Sequence, residues 1–174
     1  MRIAISSMSG CGNTSVCTAL SKKLNYKLVN YTFRQLAEEK GYEFWQFCKM
    51  AETDDSIDIE LDSKQVQKAL AEENCILGSR LAIWMLKEAD LKVYLRASAL
   101  TRAHRIFKRE AGSLEDRIKE TENRDLNDSA RYSRIYKIDN TKPDVADLII
   151  DTDDKTVDQI VDLIIAKMNT LWKN

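Results

Sequence analysis

The chain has 174 residues, 44% of them hydrophobic and 32% charged, with a formal net charge of −1. That length holds one full domain with a sizeable core and is too short for two ordinary ones, and the composition excludes disorder. The balanced charge excludes a chain-wide attraction to nucleic acid or to a membrane, so any anion site must be a local cluster.

Arg2-Ile3-Ala4-Ile5-Ser6 reads as a short buried strand, broken by Gly10, Cys11 and Gly12. Asn13-Thr14-Ser15 opens a helix with Val16, Leu20 and Leu24 at helical spacing, and 26–30 is a second strand. The stretch 31–73 reads as helices only, at 32–40, 43–52 and 57–73, with Gly41 and Asp54-Asp55-Ser56 as breaks. Further strands follow at 75–77, 91–95 and 148–150, with helices between them and a last helix near 155–171. Strands alternating with helices predict a parallel sheet covered on both faces, hence one α/β domain over 1–174 with helical excursions at 31–73 and about 108–140. Cys11, Cys17, Cys48 and Cys75 form no CxxC pair, and the single His104 cannot complete a metal cage with them. Scattered thiols and no signal-peptide pattern fit a reduced, cytoplasmic protein, and no apolar run approaches the roughly 20 residues that span a bilayer.

Two of only five glycines lie between the first strand and its helix. A glycine turn there lets backbone N–H groups wrap a phosphate at the positive helix end. Against the template GxxxxGK[ST], the stretch Ser7-Met8-Ser9-Gly10-Cys11-Gly12-Asn13-Thr14 has serine for the first glycine and Asn13 for the lysine, while Thr14 keeps the hydroxyl that would hold Mg²⁺. A plain tight turn is the bland alternative. An asparagine donates a hydrogen bond but carries no charge, so other cations would have to converge on the phosphates. Arg102, Arg105 and Arg109 share one stripe, opposite Leu100, Ala103 and Phe107; Arg117, Arg124 and Arg131 recur at seven-residue intervals beside Asp128. These faces either bind anions or are solvated surfaces balanced by Glu110, Glu115, Asp116, Glu120 and Asp125. Arg34 lies in the first turns of the helix after strand two, and Arg80 follows Gly78-Ser79 at the carboxyl end of strand three, where open parallel sheets bind ligands.

Several separate stretches, in the right order, resemble the P-loop nucleoside monophosphate kinases, and specifically the compact short-chain cytidylate kinases. They are the glycine loop, Asp58-Ile59-Glu60-Leu61-Asp62 with Lys64-Gln65-Val66, Ile76-Leu77-Gly78-Ser79-Arg80-Leu81-Ala82, Leu91–Leu95 with Arg102, Arg105, Ile106 and Arg109, and Arg124-Asp125-x-x-Asp128-x-x-Arg131-Tyr132. The resemblance implies a five-stranded sheet in the order 2-3-1-4-5, with 31–73 as the monophosphate-binding insert and about 108–135 as a lid. It implies ATP held by Ser9, Gly10, Cys11, Gly12, Asn13, Thr14 and Ser15, with adenine near Arg105 and the stretch 152–156. It implies the acceptor phosphate gripped by Arg34, Arg80 and Arg131, the nucleoside by Asp128 and Asp62, and Mg²⁺ near Thr14. Arg109, Arg117 and Arg124, with Asn13, would act on the transferring phosphoryl group. The implied reaction moves the γ-phosphoryl group of ATP to CMP or dCMP in a monomer, with neither nucleic acid nor membrane as partner. Because Asn13 and Ser7 depart from the family's pattern, a catalytically inert nucleotide-binding protein stays open, as does a kinase for another small acceptor such as adenylate or shikimate.

Overall fold

A computed structural model describes residues 1–108 and 113–171. Its elements are β1 (Arg2–Ser7), α1 (Asn13–Leu24), β2 (Lys27–Val29), α2 (Phe33–Glu39), α3 (Phe44–Ala51), α4 (Asp55–Leu70), β3 (Cys75–Gly78), α5 (Ala82–Met85), β4 (Leu91–Arg96), α6 (Ala99–Phe107), α7 (Leu114–Tyr136), β5 (Leu148–Asp151) and α8 (Val157–Leu171). The strands form one sheet in the order β2-β3-β1-β4-β5, and every neighbouring pair is parallel. This is the expected order.

Alternation along the strands sorts side chains into two layers. Ile3 and Ile5 of β1 face α1 and α8, where Val16, Leu20, Ile160, Val161 and Ile164 close the larger core. Ala4 faces the opposite layer, with Leu77 of β3, Tyr94 of β4, Ala69 of α4, and Ala82 and Ile83 of α5. Burying both faces explains why these strands read as continuous apolar runs. A third, smaller core lies within 31–73: Tyr31, Leu36, Ala37, Phe47, Ala51 and Ile57 pack together, with Phe33 stacked at a tilt on Phe47, ring centroids 4.9 Å apart. That cluster makes α2, α3 and the start of α4 a unit of their own beside the sheet.

After β4 the chain turns into α6, capped by Ser98, and then α7, capped by Ser113, which runs unbroken for 23 residues. Residues 109–112 within the expected lid lie outside the described residues, and Arg109 with them. α6 buries Arg102 and Ala103 and leaves Leu100 and Phe107 exposed. An amphipathic helix normally turns its apolar residues inward. Here a charged side chain takes an inner place, and the reason lies in what it touches.

Candidate active site

β1 ends in the middle of the sheet, and the turn after it leads directly into α1. Gly10 and Gly12 adopt φ of +80° and +93°, backbone that side-chain-bearing residues rarely adopt. A Cβ on Gly10 would also lie 2.9 Å from the Cβ and the carbonyl oxygen of Arg102, so the loop sits directly on α6. Gly12 is the residue before the first turn of α1, and no side chain caps that turn and no acid lies in it. Elsewhere Thr32, Glu43, Asp54, Ser98 and Ser113 supply side-chain oxygens to the starts of α2, α3, α4, α6 and α7. The N–H groups opening α1 are thus left facing outward at the positive end of a helix dipole, with the exposed Thr14 and Ser15 beside them. An anion fits there.

Asn13 does not point toward such an anion. Its Nδ2 donates to the Ile5 carbonyl at 3.0 Å, and its Oδ1 accepts from the Cys17 thiol at 3.0 Å. A Cβ on Gly78 would lie 2.8 Å from that Oδ1 and 2.6 Å from Cys17 Sγ, so the amide is wedged between β1, β3 and α1. The residue that stands at the lysine position therefore braces the loop from below. Ser7, at the position of the first template glycine, is buried and donates its hydroxyl proton to the Met8 carbonyl at 3.0 Å.

Positive charge reaches the loop from elsewhere. Arg102 Nη1 donates to the Ser9 carbonyl at 3.1 Å, and Arg105 Nη1 to the Cys11 carbonyl at 3.4 Å. Arg105 also donates to the Thr152 hydroxyl at 3.0 Å and to its carbonyl at 2.6 Å, which puts this guanidinium between the loop and the end of β5. From the end of β3, Arg80 Nη2 donates to the Ser9 hydroxyl at 2.8 Å while its Nη1 pairs with Asp128 of α7. Burial works against the Arg80 charge, but Asp128, with Tyr132 and Asp125, outweighs it and holds the guanidinium protonated more firmly than usual.

Beyond Arg80 lie α7 and the 31–73 unit, joined to each other by ion pairs. Arg131 pairs with Asp58 of α4 through Nε at 3.2 Å and with Asp128 through Nη2 at 3.3 Å. Arg34 lies with its guanidinium 4.0 Å from the centre of the Phe44 ring. Arg124, Arg131 and Arg34 all act electrostatically on the Cys48 thiol of α3, opposing the upward push of burial, which still prevails. Asp62 accepts a hydrogen bond from the Tyr136 hydroxyl at 2.7 Å, and burial raises its pKa to about 6. Burial raises Asp58 too, with Arg131 pulling the other way. Arg117 pairs with Glu120 one turn on, at 2.7 Å.

Of the residues the sequence pointed to, Ser9, Arg80, Asp128 and Arg131 form one connected chain of contacts, with Arg105 at the loop's other side. Asp62 lies deeper, against Tyr136, and Asn13 lies under the loop. Sequence reasoning missed Asp58 as a partner of Arg131, and it offered Asp125 only as a balancing acid on a solvated helix face, not as the buried partner of Arg102 on another helix. Buried carboxylates at positions 58 and 62 sit one helical turn apart beside Ile57 and Leu61, which is the signal that could have marked that face as inward. Among the described residues no cluster of His, Cys, Asp and Glu could cage a metal, and no helix is long and apolar enough to cross a membrane.

Residues 2–154 match the Cytidylate kinase-like family. The chain is 40% identical over 168 residues to cytidylate kinase 2 of Borrelia garinii subsp. bavariensis, covering 94% of each chain. It is 36% identical over 173 residues to the cytidylate kinase of Pyrococcus abyssi, covering 98% of this chain and 95% of that one. Among solved structures, the deoxyadenosine kinase of M. mycoides with dCMP and dCDP bound superposes with a TM-score of 0.61 at 20% identity, covering 98% and 100% of the two chains. The shikimate kinase of Acinetobacter baumannii with shikimate gives 0.63 at 15% identity, covering 97% and 93%. At those identities the likeness speaks for the fold alone.

Proposed function

Since this chain belongs to the cytidylate kinase-like family, we propose that it moves the γ-phosphoryl group of ATP to CMP, and to dCMP, between the glycine loop and the arginine-lined cleft that faces it. Cytidylate kinase activity is the property its relatives share by name; the assignment of residues to that activity is our own reading. The amides of residues 10–15, at the uncapped start of α1, hold the ATP phosphates. Arg105 and the residues after β5 flank the adenine. Arg34, Arg80 and Arg131 take the acceptor phosphate, and Asp128 and Asp62 the nucleoside. Arg124 and Arg117 serve the transferring group, as would Arg109. Mg²⁺ would arrive with ATP: the exposed Thr14 hydroxyl is a hard oxygen donor at the loop's end, and the lack of a carboxylate cage suits an ion that keeps its waters and phosphate ligands. When bound, the ion neutralises charge on the β- and γ-phosphates.

The chemistry asks little covalent work of the protein. The attacking oxygen of CMP is already ionised, so no general base is required, and the protein's part is to align donor and acceptor and to neutralise charge. A single chain brings both sides of the cleft together, so the monomer is the acting unit in this reading, and the cytoplasm, where its four unpaired thiols stay reduced, is its place.

The observation that carries the reading is the meeting at Ser9: its hydroxyl accepts from an arginine at the end of β3 and its carbonyl from one on α6, directly beside the open start of α1. A coupled assay with ATP, Mg²⁺ and CMP, dCMP, UMP, AMP or shikimate tests it. CMP and dCMP should be the best acceptors. ADP formation with CMP no faster than in an Arg131→Ala enzyme would remove the reading, and tight binding without turnover would point instead to an inert nucleotide-binding protein.

A further inference from the structure

Arg102 lies on α6 outside the residues assigned to either substrate, and its side chain is only 8% exposed. Its Nη1 contacts two acceptors at once, the Ser9 carbonyl at 3.1 Å and Asp125 of α7 at 2.5 Å, and Asp125 is itself 10% exposed at the side chain. In a trans peptide the carbonyl and the following N–H point in opposite directions. Drawing the Ser9 carbonyl toward α6 therefore turns the Gly10 N–H to the opposite side of the loop. The Cys11 carbonyl, drawn to Arg105 at 3.4 Å, does the same for the Gly12 N–H. The backbone of Gly10 rests on the backbone of Arg102 with no room for a Cβ, so this anchor acts at van der Waals contact.

The other end of the contact is equally informative. Asp125 follows Arg124 directly, and Asp128 and Arg131 come one and nearly two turns later on α7. A buried ion pair at Asp125 braces the turn of that helix that carries Arg124, and with it the direction in which Arg124 projects, whereas Arg131 is held by its own partners, Asp58 and Asp128. Two buried charges are costly to desolvate, and a well-packed apolar pair would serve stability as well or better. The pair therefore calls for a role beyond stability.

We propose that Arg102 is a positioning residue that joins the phosphate loop to α7, turning the loop amides toward the polyphosphate and setting Arg124 of α7 against the same group. The proposal rests on the reading of residues 9–15 as the ATP phosphate site. It also accounts for a guanidinium buried beside Ala103 and Ile106 on α6 while Leu100 and Phe107 are left exposed.

The test uses the full chain and compares wild type, Arg102→Met, and the double variant Arg102→Met/Asp125→Leu, reading thermal unfolding together with kcat and KM for ATP and for CMP. Arg102→Met alone should unfold at a lower temperature, because it leaves Asp125 buried without its partner. The double variant should recover most of that loss and yet keep kcat/KM for ATP roughly 30- to 100-fold below wild type, the scale of an active-site misplacement of about 1 Å. Its KM for CMP should stay within about threefold of wild type, since Arg80 and Arg131 keep their own carboxylate partners, Asp128 and Asp58, and Arg34 lies on another helix. Should the apolar pair not fold, Arg102→Gln/Asp125→Asn gives a neutral, hydrogen-bonded pair too short to hold Ser9 and residue 125 together, with the same kinetic expectation. A folded double variant with wild-type kcat/KM for ATP, or with its loss confined to the KM for CMP, overturns the proposal. A wild-type enzyme that turns over no CMP would instead remove the reading on which it rests.

Discussion

The two halves of the proposed site are built from different materials. On the proposed donor side the groups offered to a phosphate are main-chain amides at the start of α1; Arg102 and Arg105 hold the loop's own carbonyls, and Asn13 ties α1 to the end of β1. On the proposed acceptor side the groups are side chains, and Arg80 and Arg131 are already engaged with Asp128 and Asp58. Amides fixed by a sheet and two helices are preorganised, so little rearranges when a polyphosphate arrives. Guanidinium groups held by carboxylates are positioned too, but a monophosphate must exchange with part of that network. The donor side thus draws its strength from rigidity, and the acceptor side from charge that can be repartnered.

The largest effect that comparison predicts is at Arg131. Arg131→Ala removes a guanidinium that we propose grips the acceptor phosphate, and leaves Asp58 and Asp128 without one of their cations. In a folded variant, confirmed by circular dichroism, kcat/KM for CMP should fall roughly a thousandfold, the scale of losing an arginine from phosphoryl transfer. The KM for ATP should stay within about threefold. If KM for both substrates rises equally, the two sides are not separable in the way the contacts suggest.

A second prediction concerns the cost of burying charge on the acceptor side. Asp62 has its pKa raised from 3.8 to about 6, first by burial, with the Tyr136 hydroxyl opposing and Asp58 reinforcing the shift. A raised carboxyl pKa means the folded protein holds this proton more tightly than the unfolded chain. Its stabilising contribution is therefore present below about pH 4 and is lost as pH rises through about 6. Two pH units correspond to about 3 kcal/mol. Asp62→Asn, whose amide oxygen can still accept from Tyr136, should unfold at higher denaturant than wild type at pH 7.5 and lose the advantage at pH 4. Urea titrations across that range check it, and an equal midpoint shift at both pH values would mean the buried charge is not the cause.

On the donor side the corresponding weak point is steric. Gly10→Ala puts a methyl group at positive φ against the backbone of Arg102. Pushing the loop off α6 should lower kcat/KM for ATP roughly a hundredfold while leaving the KM for CMP nearly unchanged. An alanine variant with wild-type ATP kinetics would show that the loop's seat on α6 has no bearing on phosphate binding.

The sequence made the fold largely legible, because strands buried on both faces and glycines after the first strand are short-range signals. Residues 75–77 and 91–95, and 27–29 of the expected 26–30, stand in the sheet, and Arg80 emerges at the carboxyl end of β3. What escaped was pairing. Arg80 and Asp128 are 48 residues apart, Arg131 and Asp58 are 73, and no local pattern tells which carboxylate a guanidinium will meet. The stripe Arg102, Arg105, Arg109 was visible, but periodicity could not say that Arg102 would turn to a backbone carbonyl and a partner on α7. Asn13 was the hardest residue to read, because its amide has the same chemistry whether it faces a phosphate or a strand end.

Asn13→Lys is where the smallest effect is expected, and it tests the donor side most directly. If the loop were a lysine site left incomplete, restoring the ammonium would raise the rate by the hundred- to thousandfold that one transition-state donor is worth. The contacts argue otherwise. Asn13 holds the Ile5 carbonyl and the Cys17 thiol beneath the loop, so the substitution gives up a buried hydrogen bond worth about 1 kcal/mol while adding a charge above. With Arg80, Arg102 and Arg105 already bonded to the loop or its neighbours, a further cation enters a field that is positive to begin with. Gain and loss should nearly cancel, leaving kcat within about tenfold of wild type in either direction, a change of at most about 1.4 kcal/mol in the barrier. A rise beyond a hundredfold in steady-state assays would mean that the arginines do not supply the missing charge, and that the amides, however well held, are not enough.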